Sequence, residues 1–164
     1  EEPFVAQWVG EPEALERILA AHGWKQVPTW SWVDVLAYSD ARNDIDVLLP
    51  RPSLHEGHLA RLSMTTPVVG ENGARLVLRA WPSSIEVADG GGRQPLLLVG
   101  LVEERKKQLP IVALPDDETA SRGDVLAVLE LLRSSANVQN IAPRPVKGAL
   151  APALLSLKTP ETGG

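Results

Sequence analysis

The stretch Pro95 to Glu103, PLLLVGLVE, constrains the fold more than any other part of the chain. Its apolar residues fall at consecutive positions, so a strand made from it is apolar on both faces. A membrane-spanning helix needs about 20 apolar residues; this run is far shorter and is interrupted by Gly100. It therefore predicts the central strand of a sheet. Flanking segments supply its partners. Ala60, Leu62 and Met64 alternate with Arg61, Ser63 and Thr65, the period of a half-buried strand. Glu71-Asn72-Gly73 is a turn signal leading into a strand from Arg75 to Trp81. Pro82 interrupts that strand, which predicts a bulge or an edge position, and Ile85 and Val87 continue it. Asp89-Gly90-Gly91-Gly92 turns the chain again, and Ile111 to Leu114 predicts one more short strand. These segments read as an antiparallel meander.

Helical signals lie on either side of it. Phe4 to Val9 is a short β-type run with Phe4, Ala6 and Trp8 on one face. A helix follows, opened by Pro12 among Glu11 and Glu13, with Leu15, Ile18, Leu19 and His22 as its stripe and Gly23 as its stop. Ser31 and Asp34 form a capping-box pattern and predict a second helix over Trp32 to Ser39. Asp40 to Leu54 is loop-like. Ser121 and Asp124 predict another capped helix, with Val125, Val128, Leu129 and Leu132 buried. Asn137 to Pro152 reads as irregular, Ala153 to Leu157 as a last strand, and residues 159–164 as a flexible tail. The expected fold is α+β: a mostly antiparallel sheet of five to six strands with two to three helices packed on one face, in a single domain over residues 1–158.

Composition narrows the function. The 164 residues carry a net charge of −5, and the one dense charged run, Glu103 to Lys107, mixes signs. Both facts argue against a nucleic-acid partner. There is no cysteine, which excludes disulfides and thiolate chemistry. No segment reads as a signal peptide or a membrane helix. The first residues are Glu1-Glu2-Pro3, without methionine, so the chain is expected to be a processed or excised part of a longer protein.

The densest polar cluster is PRPSLHEGHLARL, Pro50 to Leu62. A helical zinc site needs histidines four apart. His55 and His58 are three apart across Glu56-Gly57, downstream of two prolines, and an extended segment would send their rings to opposite faces. No third ligand is evident, so neither a metal nor a cofactor is expected. Arg51-Pro52-Ser53-Leu54-His55 looks similar to the Pro-Ser-Gly-His element of membrane type 2 phosphatidic acid phosphatases. The glycine is absent, and no histidine follows His58. Asp89 to Arg93 reads as a hairpin turn rather than a phosphate loop, because a strand-like run follows it. Five tryptophans stand beside one Phe and one Tyr. Trp8, Trp24 and Trp81 sit in apolar runs and are expected in the core. Trp30 and Trp32 flank the second helix, where an exposed ring suits lipid headgroups or a partner.

Taken in order, these pieces resemble the LssY-like C-terminal domain found behind DedA-type and type 2 phosphatidic acid phosphatase membrane regions. QWVGEPEALERILAAHGW looks like that domain's opening strand and helix, and SWVDVL like its second helix. LLPRPSLHEGHLARLSM is similar to its Leu-Pro and His-acidic-Gly segment. RLVLRAWPSSIEVADGGGRQPLLLVGLVEE resembles its Leu-Arg-x-Trp-Pro run and the Pro-x-x-x-Gly run after it. The likeness covers about residues 4 to 157. It implies a soluble extramembrane accessory domain of a bacterial polytopic membrane protein linked to lipid-phosphate phosphatase chemistry or DedA-type lipid transport. Such a domain is attached to the inner membrane through the rest of the protein and is not itself catalytic. Its expected partners are the membrane part of its own protein, a lipid headgroup or another protein. The binding candidates are Arg51, His55, Glu56, His58, Arg61, Trp30 and Trp32. The alternative is a small phosphoester hydrolase with its site around His55, Glu56 and His58.

Overall fold

The computed structural model describes residues 3–29, 31–69, 73–89, 92–110, 112–135, 138–141 and 153–157. In chain order the elements are β1 (Phe4–Val9), α1 (Pro12–Ala21), β2 (Lys25–Gln26), α2 (Trp32–Ala37), β3 (Leu54–His55), β4 (His58–Leu59), β5 (Leu62–Pro67) and β6 (Ala74–Asp89). Then come β7 (Gly92–Gln108), β8 (Ala113–Thr119), α3 (Arg122–Ser134), β9 (Val138–Ile141) and β10 (Ala153–Leu157). The fold is α+β. Eight strands form one sheet in the order β2-β5-β6-β7-β1-β10-β9, and β8 also pairs with β7. Pairing is antiparallel except between β1 and β10.

The apolar run does become the centre of the sheet. One side of β7 pairs with β6 from Asp89↔Gly92 to Ala74↔Arg105. Its other side is shared, with Leu96 to Gly100 beside β1 and Val102 to Gln108 beside β8. The charged end of β7 is thereby absorbed. Arg105 lies opposite Asp116, Arg105 Nε is 3.3 Å from Glu118, and Lys107 Nζ is 3.3 Å from Asp116. Opposite charges facing across strands stabilise the pairing. They explain how β8 holds Asp116 and Glu118 despite their poor strand propensity. The register of β6 shifts between Pro82 and Glu86, so the proline sits at the expected bulge without ending the strand.

Strand alternation gives β6 two different faces. Leu76, Leu78 and Ala80 join Leu97, Val99 and Leu101 of β7 in the main core. Two helices complete it, α1 through Leu15 and Leu19, and α3 through Val128, Leu129 and Leu132. Trp8 and Trp24 are in the same cluster, and Trp81 is buried as well. The expected caps hold the helices. Asp34 accepts from the Ser31 amide at 2.7 Å, and the Asp124 amide donates to Ser121 Oγ at 3.1 Å. Gly23, at φ 85°, ends α1 in the left-handed conformation that glycine adopts freely.

Four expectations need adjustment. The strand expected over Ile111 to Leu114 is β8, Ala113–Thr119. The helix expected to reach Ser39 ends at Ala37. Val138 to Ile141, read as irregular, forms β9 against β10. Leu54 to Leu59, read as loop and strand entry, forms a small separate hairpin. Residues 159–164, expected as a tail, lie outside the described residues.

Candidate functional site

The second face of β6 and β7 carries Arg75, Val77, Arg79, Trp81, Val102 and Glu104. All of them are buried. Ile45, Leu48, Arg51 and Ser53, in the connection from α2 to β5, lie over this face. Glu104 is fully buried. Its carboxylate accepts hydrogen bonds from Arg75 Nε and Nη2 at 2.9 and 2.7 Å, from Arg79 Nη2 at 2.9 Å, and from the Arg51 amide at 3.0 Å. The arginines then reach the cover. Arg75 Nη1 donates to the carbonyls of Ile45, at 2.7 Å, and Leu48. Arg79 Nη2 donates to the Arg51 carbonyl at 2.8 Å, and Trp81 Nε1 to the Ser53 carbonyl at 3.3 Å. A buried charge persists only when paired and hydrogen-bonded. This cluster satisfies that condition by clamping residues 45–53 onto the sheet. Burial pushes the Glu104 carboxyl up, while Arg75 and Arg79 pull it back. We take the carboxylate as ionised, since both of its partners are permanently charged. The Tyr38 hydroxyl donates to the Leu49 carbonyl in the same layer. Burial, with Glu104 second, pushes its phenol up to about 12.

The clamped segment leads into the hairpin β3-β4. Glu56, at φ 50°, and Gly57, at φ 80°, form a two-residue turn with both central residues left-handed, the type that fits strand twist. It corrects the geometry expected for the histidines. Their odd spacing is folded back on itself, so His55 lies directly opposite His58 and the two share one face of the ribbon. Their environments differ. The His55 ring is half-buried and meets Phe4 edge-on at 4.8 Å and Trp81 at 6.2 Å. His58 is exposed, as is Glu56. Among the described residues, no group of three or more His, Asp or Glu can hold a metal ion. The adjacent cross-strand pair, Leu54 opposite Leu59, is 65% and 62% exposed.

Beside this hairpin lies a cleft of about 300 Å³. Val27 to Thr29, Pro50 to Ser53 and Leu59 to Arg61 form its walls, with Ser63 and Arg79 on the sheet side. It brings together Arg51 and Arg61, two of the expected binding residues. His55, Glu56 and His58 are near it in the chain but do not line it. Trp32, three residues beyond the lining Thr29, is 87% exposed. Trp30 lies outside the described residues.

Sequence reasoning missed Arg75, Arg79 and Glu104. One signal was available. Arg75 and Arg79 alternate with Leu76, Leu78 and Ala80 and share their face with Val77 and Trp81. Such a face is not a solvent-facing one. Glu104 was hidden by the charged residues that follow it. Comparison of the chain with protein-family models, with characterised proteins and with solved structures finds no match.

Proposed function

We propose that this chain is a non-catalytic binding domain working at the surface of a membrane that contains anionic lipid. In this reading it is the extramembrane accessory part of a bacterial polytopic membrane protein of the lipid-phosphate phosphatase or DedA kind. The observation that carries the proposal is the pairing of the exposed Leu54 and Leu59 with the Arg51 and Arg61 cleft next to them. Exposed apolar side chains beside cations suit the boundary between headgroups and acyl chains. The chain as a whole carries a net charge of −5 and does not attract anionic lipid, so contact would be confined to this face. No helix among the described residues is long and apolar enough to cross a membrane. Attachment would therefore come from another part of the protein, with the hairpin adding a local contact.

Vesicle flotation tests this reading. The protein is mixed with vesicles of phosphatidylcholine alone or with added phosphatidic acid. The expected result is flotation with the anionic vesicles, lost in Leu54→Ser/Leu59→Ser and weakened by salt. Equal flotation of the double variant and the parent chain would refute the hairpin as the contact.

A further inference from the structure

A second cavity, of about 550 Å³, lies between the end of α2, the clamped segment and the β7-β8 turn. Small-molecule sites commonly measure about 300–1,000 Å³. Its apolar walls come from Tyr38, Leu109, Leu114 and Pro115. Backbone contacts fix these walls from behind. The Ala113 amide donates to the Tyr38 carbonyl at 3.0 Å, and the Leu109 amide to the Val112 carbonyl at 3.0 Å. The Tyr38 hydroxyl is held by the Leu49 carbonyl. Leu109 and Leu114 are still 37% and 40% exposed, so the walls keep apolar surface that a ligand would cover.

The charged part of the lining is one constellation. Arg51, which also lines the cleft beside the hairpin, and Lys107 converge on Asp116. Arg51 Nη1 is 3.8 Å from Asp116 Oδ1, and Lys107 Nζ is 3.3 Å from Oδ2. A single carboxylate thus bridges two cations, one oxygen to each, at the rim of an apolar hollow. All three side chains are about half exposed, and ion pairs at such positions contribute little to stability. Among the described residues Asp116 is the one acid in the lining. Two other acids act on Tyr38 from outside it. Glu104 is held by Arg75 and Arg79, and Asp34 by Ser31.

We infer that this cavity binds an apolar-tailed carboxylate of the fatty-acid class, with its head on Arg51 and Lys107 and its chain against Leu109, Leu114 and Tyr38. Asp116 shows which head the two cations accept, since each of its oxygens serves one of them; a ligand carboxylate offers the same two oxygens. Exchanging Asp116 for the ligand head costs little, because solvent already screens the pairs it displaces. The gain comes from the apolar surface that the chain covers. Neither half suffices alone: a small anion covers no wall, and an uncharged chain leaves the cations to Asp116. The inference goes beyond the membrane reading and does not rest on it.

The test is a titration of backbone amide resonances with decanoate, below its micellar concentration, at neutral pH and constant ionic strength. Saturable shifts are expected at Lys107, Leu109 and Leu114. Decanol carries the chain without the charge, and acetate the charge without the chain. Each should bind at least about tenfold more weakly than decanoate. Lys107→Ala should weaken decanoate binding at least about tenfold with a nearly unchanged thermal midpoint. Asp116→Asn should tighten it severalfold, because the change removes the carboxylate that competes for both cations. A gain in affinity cannot come from a damaged fold, so this variant separates the site from a structural ion pair. Arg93→Ala removes an exposed arginine elsewhere and should have no effect. Decanol that binds as tightly as decanoate, or an Asp116→Asn variant that binds no more tightly than the parent, would overturn the inference. Leu54→Ser/Leu59→Ser should bind decanoate like the parent, so failure of the membrane contact and failure of this cavity are read separately.

Discussion

Glu104→Gln probes the clamp that holds the cleft together. The change keeps the shape of the side chain and removes its charge. In the parent chain Oε2 is 2.7 Å from Arg75 Nη2 and Oε1 is 2.9 Å from Arg79 Nη2. Two charges about 4 Å apart attract by about 4 kcal/mol at an effective dielectric of about 20. Desolvation offsets part of this, but removing one partner of a buried pair leaves the others uncompensated, at a cost of about 3–5 kcal/mol. Here the amide NH2 of glutamine would also face an arginine donor. We expect a loss of about 3–5 kcal/mol in urea denaturation, seen as a lower midpoint at unchanged slope. The Arg51 amide, which donates to Glu104 Oε1 at 3.0 Å, should also lose protection from hydrogen exchange. A loss below about 1 kcal/mol would refute the reasoning. It would mean that Glu104 is protonated in the folded chain, because an amide copies a neutral acid closely.

Two further outcomes follow from the same layer. Tyr38 is the chain's one tyrosine, so its ionisation can be read directly by near-ultraviolet absorbance. Its phenol should titrate near pH 12 in the folded chain and near its ordinary 10 in urea. The folded state then holds the proton between those values, so this group's contribution to stability is present below pH 10 and is lost as pH rises towards 12. A folded-state midpoint near 10 would contradict its burial against the Leu49 carbonyl. Trp81→Ala should cost about 3 kcal/mol in the same denaturation assay, since the ring is buried and anchors Ser53. A cost under about 0.5 kcal/mol would mark Trp81 as a surface ring.

Much of the scaffold was legible from residue patterns. The two-faced apolarity of Leu96 to Val102 marked the central strand. Ser31, Ser121, Gly23 and Pro82 marked caps, a stop and a bulge, because each acts through local backbone chemistry. The site was legible only in part. Arg51 and Arg61 stood out as charged residues near the histidines, and they do line one cleft. Their relation to Arg79 and Glu104 depends on the register of β6 against β7, which joins residues 25 apart in sequence and which no local pattern encodes. The histidine geometry was misread because a two-residue turn reverses the parity of an extended chain. Glu56-Gly57 permits such a turn without requiring it.

The membrane-facing orientation of the hairpin is the claim on which the account turns, and the absence of cysteine makes it directly measurable. Leu59→Cys places a single label site on β4, and Leu126→Cys places one on the exposed side of α3, across the sheet. Each variant is labelled with a polarity-sensitive fluorophore and mixed with vesicles containing phosphatidic acid. A blue shift at position 59 and none at position 126 is the predicted result. No shift at position 59, or equal shifts at both, would contradict it.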